Sequence, residues 1–493
     1  MNSGVVHIRQ KGGIMPKTDL PGSLPLESLL AAVPEGCTID RHEIHGHTLE
    51  LFVTWPEPKG TDLVCPHCGS CDCTGKGKGS LQTIRHVNTG LMGTLITFRK
   101  PRFVCRDCGR SFYARPKWVF PDMSVSSFVA LQIFDELTCT GKSLSMIARD
   151  TFTSPAIVTS LLERIPYRAP KKLPVSLGID EFKGNSGYWD PKRKRFCTEK
   201  YHCVLVDADA GRVIDILLKA TYQELHDYFM EFSPDARKRV RFFCTDMRSG
   251  FSKVARVCFP RAKICIDMFH VVKLVTGAVG DVRLSAWHSL VRKYRSALTD
   301  YEEAKKAHLE DLPGRKAAAD LLKDQCDLVK GSQRVLITSP YHEDAYWNRD
   351  PEKRSKRLKE LFELEPQLEF AHTALMEFYD ILETTEFNDK RSDLTAWLAK
   401  YTVCDCPPIR QAAYSINKHR KGIENSWKYH KSNGVTESLN QKTKNIIRAS
   451  FGMRSFEHLR KRILLASGAT VLDMKNPYTI FGEKRGDEAS DHV

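Results

Sequence analysis

No stretch of about 18 consecutive apolar residues occurs in the 493 residues, and the start lacks the charged-then-apolar leader of an exported chain. Both absences point to a soluble, unsecreted, cytoplasmic protein with no membrane partner. Acidic residues are the minority charge, 60 against 75 Lys and Arg, leaving +15 overall and a pI near 9.1. That imbalance suits a polyanionic partner, although a solvated basic face gives the same count. With 41% hydrophobic and 27% charged residues, the chain is not disordered, and its length allows about three domains.

Cysteine is not scarce. Sixteen in a long unsecreted chain favour metal ligation or burial over a disulfide framework. Four have ligand spacing: Cys65-Pro-His-Cys68-Gly and Cys105-Arg-Asp-Cys108-Gly. Each CxxCG knuckle sets two sulfurs on one tight turn, and two knuckles make a closed tetrahedral site for one structural Zn²⁺. Two apparent strands, TIRHV and LITFRKPRFVC, fill the interval, and HTLELFVTW reads as a strand before it. Cys71, Cys73 and His67 are read as bystanders. Arg99, Lys100 and Arg102 near the second knuckle are candidate DNA contacts, though a solvated surface has the same composition.

From about 121 the pattern turns helical, with Val125, Phe128, Leu131 and Phe134 at threefold and fourfold spacing. A short helix Leu144–Asp150, the turn TFTS and a helix opened by Pro155 form a helix-turn-helix, or a helical hairpin without DNA contact. PYRAPKKLP then reads as a linker.

Beyond it, VSLGID, YHCVLVDAD and GRVIDILL read as three successive strands, followed by alternating helices and the strands VRFFCTD and AKICID. This is the plan of an RNase H-like core, in which the first and fourth strands lie side by side. Asp180 ends the first and Asp246 the fourth. An ionised group after an apolar strand is costly unless something compensates it, and paired divalent ions choose such oxygens; a turn or helix cap is the plainer reading of Asp246. Glu181 alternates to the other face. Residues 285–425 have helical spacing and read as an α-helical insertion. A third carboxylate must follow it, with Glu424, Glu437 and Glu457 as candidates. Glu437 begins a helix on which Asn440, Gln441, Lys444 and Arg448 recur on one face, where Lys444 and Arg448 would meet a phosphate backbone.

GIDEF, YHCVLVDADAGRVIDIL, CTDMRSGF, ICIDMFHVVK and NGVTESLNQKTKNIIRASFGMRSFEHLRKRILL resemble the ISL3 family of bacterial insertion-sequence transposases, over roughly residues 28–466. The resemblance implies a DDE active site at Asp180, Asp246 and Glu437 with two Mg²⁺ or Mn²⁺ ions. It also implies cleavage at terminal inverted repeats followed by strand transfer into target DNA. Asp267 and His270 match a D-x-x-H pattern placed at or near the site in related groups; a helix cap with a packed histidine is the equal alternative. Pairing two element ends calls for at least a dimer. A DNA-binding regulator with an inactive transposase-like domain is the competing function.

The expected organisation is multidomain α+β: a flexible lead (1–27), a zinc-ribbon DNA-binding domain (28–115) and a helix-turn-helix (120–166). An RNase H-like α/β catalytic core follows in two parts (174–284 and 426–470), interrupted by the insertion and ending in a tail (471–493).

Overall fold

The computed structural model describes residues 33–468 apart from 35, 61–62, 78, 168, 171 and 451; the expected lead and tail lie outside the described residues. The chain divides into two compact units at residues 167 and 168.

The first unit contains β1 (Thr38–His45), β2 (Thr48–Thr54), β3 (Cys73–Gly75), β4 (Leu81–Thr89), β5 (Met92–Arg99), β6 (Arg102–Cys105) and β7 (Ser111–Tyr113). They form two sheets, ordered β1-β2-β5-β4 and β3-β6-β7. The expected single strand LITFRKPRFVC therefore breaks at Lys100-Pro101, because proline cannot donate to a ladder, and its halves serve different sheets. Leu49, Leu51, Ile84, Ile96 and Phe98 fill the core of the larger sheet. Helices α1 (Ser127–Thr138), α2 (Leu144–Asp150) and α3 (Pro155–Arg164) follow, each opened by a serine, Ser126, Ser143 or Ser154, whose hydroxyl accepts a first-turn N–H. The buried stripe of α1 is Val129, Ala130, Ile133, Phe134 and Leu137 rather than the expected one; Phe128 is 47% exposed. Arg85 and Asn88 of β4 donate to the carbonyls of Phe152 and Asp150, seating the α2–α3 turn on the sheet.

The second unit is built on β8 (Ser176–Asp190), β9 (Arg195–Asp207) and β10 (Arg212–Leu217), an antiparallel meander. Helices α4 (Tyr222–Met230) and α5 (Pro234–Arg239) cross to β11 (Phe242–Thr245), and α6 (Ser249–Cys258) crosses to β12 (Lys263–Ile266). The sheet order is β10-β9-β8-β11-β12, with β11 parallel to both β8 and β12. First and fourth strands are thus neighbours. Asp180 does not end β8, which runs on to Asp190 because β9 pairs with it throughout, with one register shift at 183–186.

A helical block follows: α7 (Met268–Lys306), α8 (Leu312–Lys330), α9 (Gln333–Ile337), α10 (Pro351–Leu364), α11 (Pro366–Glu383), α12 (Phe387–Tyr401) and α13 (Pro407–Tyr429). Val275, Val279, Leu336, Phe378, Trp397 and Ile416 pack its core. The expected boundaries at 285 and 425 fall inside α7 and α13, single unbroken helices. From α13, Asn425 and Ser426 donate to the Ile264 and Ile266 carbonyls at 2.9 and 2.7 Å, covering the outer edge of β12. Helices α14 (Gly434–Ala449) and α15 (Phe456–Ala466) return to the sheet, where Arg460 of α15 grips buried Asp215 of β10 with two hydrogen bonds of 3.0 and 2.9 Å.

Candidate metal centre and active site

In the first unit the two knuckles fold alike. Gly69 donates its N–H to the Cys65 carbonyl and Gly109 to that of Cys105, with φ of +78° and +67°, a backbone that side chains rarely adopt. The turns bring Cys65 to 3.7 Å from Cys108 and Cys68 to 3.5 Å from Cys105, sulfur to sulfur. All four sulfurs lie within 4.8 Å of one another, which fits a tetrahedral thiolate centre. The Cys108 N–H aimed at Cys105 lowers that thiol to about 6. Cys71, Cys73 and His67 stand outside this group, and desolvation pushes the Cys73 thiol up to about 11. Among the described residues, Glu43, His45 and Glu50 form a second close group, but Arg41 and Thr97 already engage its two glutamates.

In the second unit Asp180 stands on β8 and Asp246 directly follows β11, its neighbour. Burial pushes both carboxyls above the usual range. Opposing this, Asn440 of α14 donates to Asp180 Oδ2, and the Arg248 N–H donates to Asp246 Oδ1 at 2.9 Å. Asp267 caps α7 through Phe269 N–H at 3.2 Å, and its other oxygen holds His270 Nδ1 at 3.0 Å. Asp267 raises the His270 pKa, and the charges of Asp180 and Asp246 add to the effect. Cap and site neighbour are therefore one arrangement. Lys444, exposed on α14, also acts on Asp180 electrostatically. Among the described residues, no three ligands that include these aspartates close to the mutual 4.8 Å of the cysteines. Glu437 lies in the first turns of α14; its side chain is outside the described residues.

The helix carrying Glu437 is held close. Asn433, just before α14, donates to the Ile179 carbonyl at 3.3 Å, and a Cβ at Gly178 would stand 2.4 Å from the Thr436 hydroxyl oxygen. Gly178 is thus what lets α14 approach the strand bearing Asp180. The buried Thr245 and Thr436 hydroxyls and the Asn440 Oδ1 find no protein partner. Desolvated carboxylates beside unsatisfied oxygens fit a site for hard cations.

Residues 177–463, more than half of the chain, match the family model of the ISL3 transposases, described as a transposase. The chain belongs to the ISL3 transposase family. Residues 63–108 also match the zinc-finger described for the transposases IS204, IS1001, IS1096 and IS1165, over the interval that contains all four ligand cysteines. Two proteins of Mycobacterium tuberculosis, strains CDC 1551 / Oshkosh and ATCC 25618 / H37Rv, are each named transposase for insertion sequence element IS1557. Each is 25% identical over 256 residues, 52% of this chain and 54% of the relative. The chain thus spans about half the length of the curated relatives it matches.

In this ISL3 family member the candidate DNA contacts differ in freedom. Arg99 donates to the Gly79 carbonyl at 2.8 Å and Arg102 to Ser111 at 3.0 Å, while Lys100 lies 5.6 Å over the Tyr113 ring. Lys444 and Arg448 are exposed on α14. Sequence reasoning missed Arg248, which pairs with both Glu181 and Asp246. Glu181, expected as a structural neighbour on the other face of the strand, is tied to Asp246 through that cation. The sequence signal available was the CTDMRSG motif itself, with Arg248 two residues after Asp246.

Proposed function

We propose that this chain is a DDE transposase of a bacterial insertion sequence, which binds terminal inverted repeats in double-stranded DNA, cleaves them and joins the released end to target DNA. The observation that carries the reading is the docking of α14, the Glu437 helix, at Asp180, with desolvated Asp246 on the neighbouring strand. The sheet order, with first and fourth strands adjacent, supports an RNase H-like core, and the capped α2–α3 pair supports a helix-turn-helix. Asp180, Asp246 and Glu437 would hold two Mg²⁺ or Mn²⁺ ions, which supply Lewis-acid activation of the attacking oxygen and relief of charge on the leaving oxygen. The chain's own groups do the rest. Asn440 orients Asp180, Arg248 orients Asp246 and holds Glu181, and Asp267 holds the His270 ring through Nδ1. Lys444 and Arg448 meet the phosphate backbone.

In the first step water attacks the phosphodiester at the element's end, releasing a 3′-hydroxyl. In the second that hydroxyl attacks a target phosphodiester, which loses its own 3′-oxygen as leaving group. Zn²⁺ in the four-cysteine centre is structural. Engagement of two ends calls for at least a dimer, working on DNA in the cytoplasm and nucleoid.

The test is cleavage of a duplex carrying the element's terminal repeats in Mg²⁺, comparing the full chain with Glu437→Gln. We expect at least a hundredfold lower cleavage by the variant, with DNA binding retained. Equal cleavage by both proteins would remove Glu437 from the site. Binding by both with no cleavage by either would favour the regulator.

A further inference from the structure

The sheet ends before the meander does. Strand β10 pairs with β9 only over residues 203–207, and β11 with β8 only over 176–178, whereas β8 and β9 continue together to Asp190 and Arg195. From Phe182 and His202 outwards the two strands form a ribbon roughly 25 Å long at the usual rise of a strand. Isolated ribbons are marginally stable, and this one is held along its length by the segment before α15. Ser186 donates its hydroxyl to the Met453 carbonyl, the Gly187 N–H donates to the Arg454 carbonyl at 2.8 Å, and the Arg454 guanidinium lies 4.5 Å over the Phe196 ring.

The outer part of the ribbon carries six cations, Lys183, Lys192, Arg193, Lys194, Arg195 and Lys200, all exposed, against two acids. Both acids are engaged. Asp190 accepts the Lys192 and Arg193 N–H groups at 3.0 and 3.1 Å to close the turn, and Glu199 pairs with Lys219 at 3.0 Å. Four consecutive cations therefore crown a turn whose Asp190 also lies 3.7 Å from Arg193. Below them Trp189 is 60% exposed, cross-strand from Phe196, and Tyr201 is 43% exposed. A tryptophan 60% exposed under a cationic tip leaves most of its ring in water, and large apolar rings left in water mark a contact surface.

We propose that the β8–β9 ribbon beyond Phe182 and His202 is a DNA-binding arm. Its width suits the major groove, which admits a two-stranded ribbon. Lys192, Arg193, Lys194 and Arg195 lie against phosphates, and Trp189 packs on the sugar and base edges between them. Contacts to phosphate carry no sequence information, so the arm grips flanking duplex irrespective of sequence. The choice of duplex DNA as occupant rests on the transposase reading and on the charge of the tip.

The experiment measures binding of the full chain to two fluorescent duplexes, one bearing the terminal repeats and one of unrelated sequence, across a salt series. Replacement of all four tip cations (Lys192→Gln, Arg193→Gln, Lys194→Gln, Arg195→Gln) should flatten the slope of log K against log salt by about two to four on both duplexes, since each phosphate contact contributes about 0.9. Trp189→Ala should weaken binding at every salt concentration and leave the slope unchanged. An unchanged slope in the tip variant, with far-UV circular dichroism and unfolding midpoint as in wild type, overturns the arm. So does a tip variant that changes only the self-association of the chain, which would make a second copy the occupant. Cleavage by the wild type together with an unaltered slope sinks the arm alone. Salt-dependent binding through the tip without cleavage sinks the transposase reading alone.

Discussion

A methyl group at position 178 would meet the Thr436 hydroxyl at 2.4 Å and the Asn433 side-chain Oδ1 at 3.1 Å. Neither belongs to a long flexible side chain, so Gly178→Ala must push α14 off β8, with an overpacking penalty of about 1–3 kcal/mol. We expect cleavage to fall at least tenfold while the fold survives, checked by cleavage assay beside circular dichroism. The two aspartates make an opposite trade. Burial raises both carboxyl pKa values, so in metal-free protein the stabilisation is fully present below the ordinary carboxyl pKa and is lost as pH rises through the raised values. Asp246→Asn should therefore raise the melting temperature in EDTA at pH 7, by roughly 2–4 °C for each kcal/mol relieved. Added Mg²⁺ should stabilise the wild type and leave this variant unmoved; a lower melting point for the variant in EDTA would contradict the assignment of burial as the dominant cause. Asp180 and Asp246 stood out as candidates because a carboxylate beside an apolar strand is chemically odd. Arg248 was not, since its pairing with Glu181 depends on how strand β8 lies against the loop after β11.

At the level of elements, short-range patterns read well and long-range support did not. The knuckles are set by cysteines three apart, and the serine caps also by residues three apart, so both could be seen in the sequence. The outer half of β8 could not: Gly184-Asn185-Ser186-Gly187 has the composition of a turn, and the strand nevertheless runs through it, with a left-handed Asn185 (φ +53°) at the register shift and hydrogen bonds from Ser186 and Gly187 to Met453 and Arg454. The zinc centre makes the clearest prediction here. Purified chain should carry one zinc per molecule by elemental analysis, and Cys105→Ser should carry less than about a fifth of that, because an incomplete tetrahedral set binds far more weakly. Amide exchange should then accelerate across β3, β6 and β7, where Cys73 pairs with Cys105, and leave the β8–β12 sheet protected. Full zinc content in Cys105→Ser would move the ligand to another residue.

For the whole molecule, the defining fact is that partners far apart in the chain meet at the sheet. Asp215 is wholly buried and shares two hydrogen bonds with Arg460, 245 residues later. Removing one member of such a pair strands the other's charge, so Arg460→Met should destabilise the chain by about 3–5 kcal/mol in denaturant unfolding. Replacing both, as Asp215→Asn with Arg460→Met, should recover part of the loss; no recovery would mean that Arg460 acts through packing alone. The succession of strands and helices along the chain was evident from periodicity. What periodicity cannot express is where an insertion begins, because α7 and α13 carry the same helical pattern on both sides of the joints.

Those joints meet at a single residue. The chain leaves for the block at Asp267, immediately after Ile266, and Ser426 returns to the Ile266 carbonyl at 2.7 Å. The excursion is therefore a stitched loop with both ends anchored to one strand, and its far side can be rewritten without the carboxylates registering the change. Doubling the length of a flexible connection adds only about 0.6 kcal/mol of closure entropy. A reporter domain spliced between Ser339 and Asp350 would ride on the chain as cargo, at a point where the chain itself has already shown that the sheet tolerates a long detour.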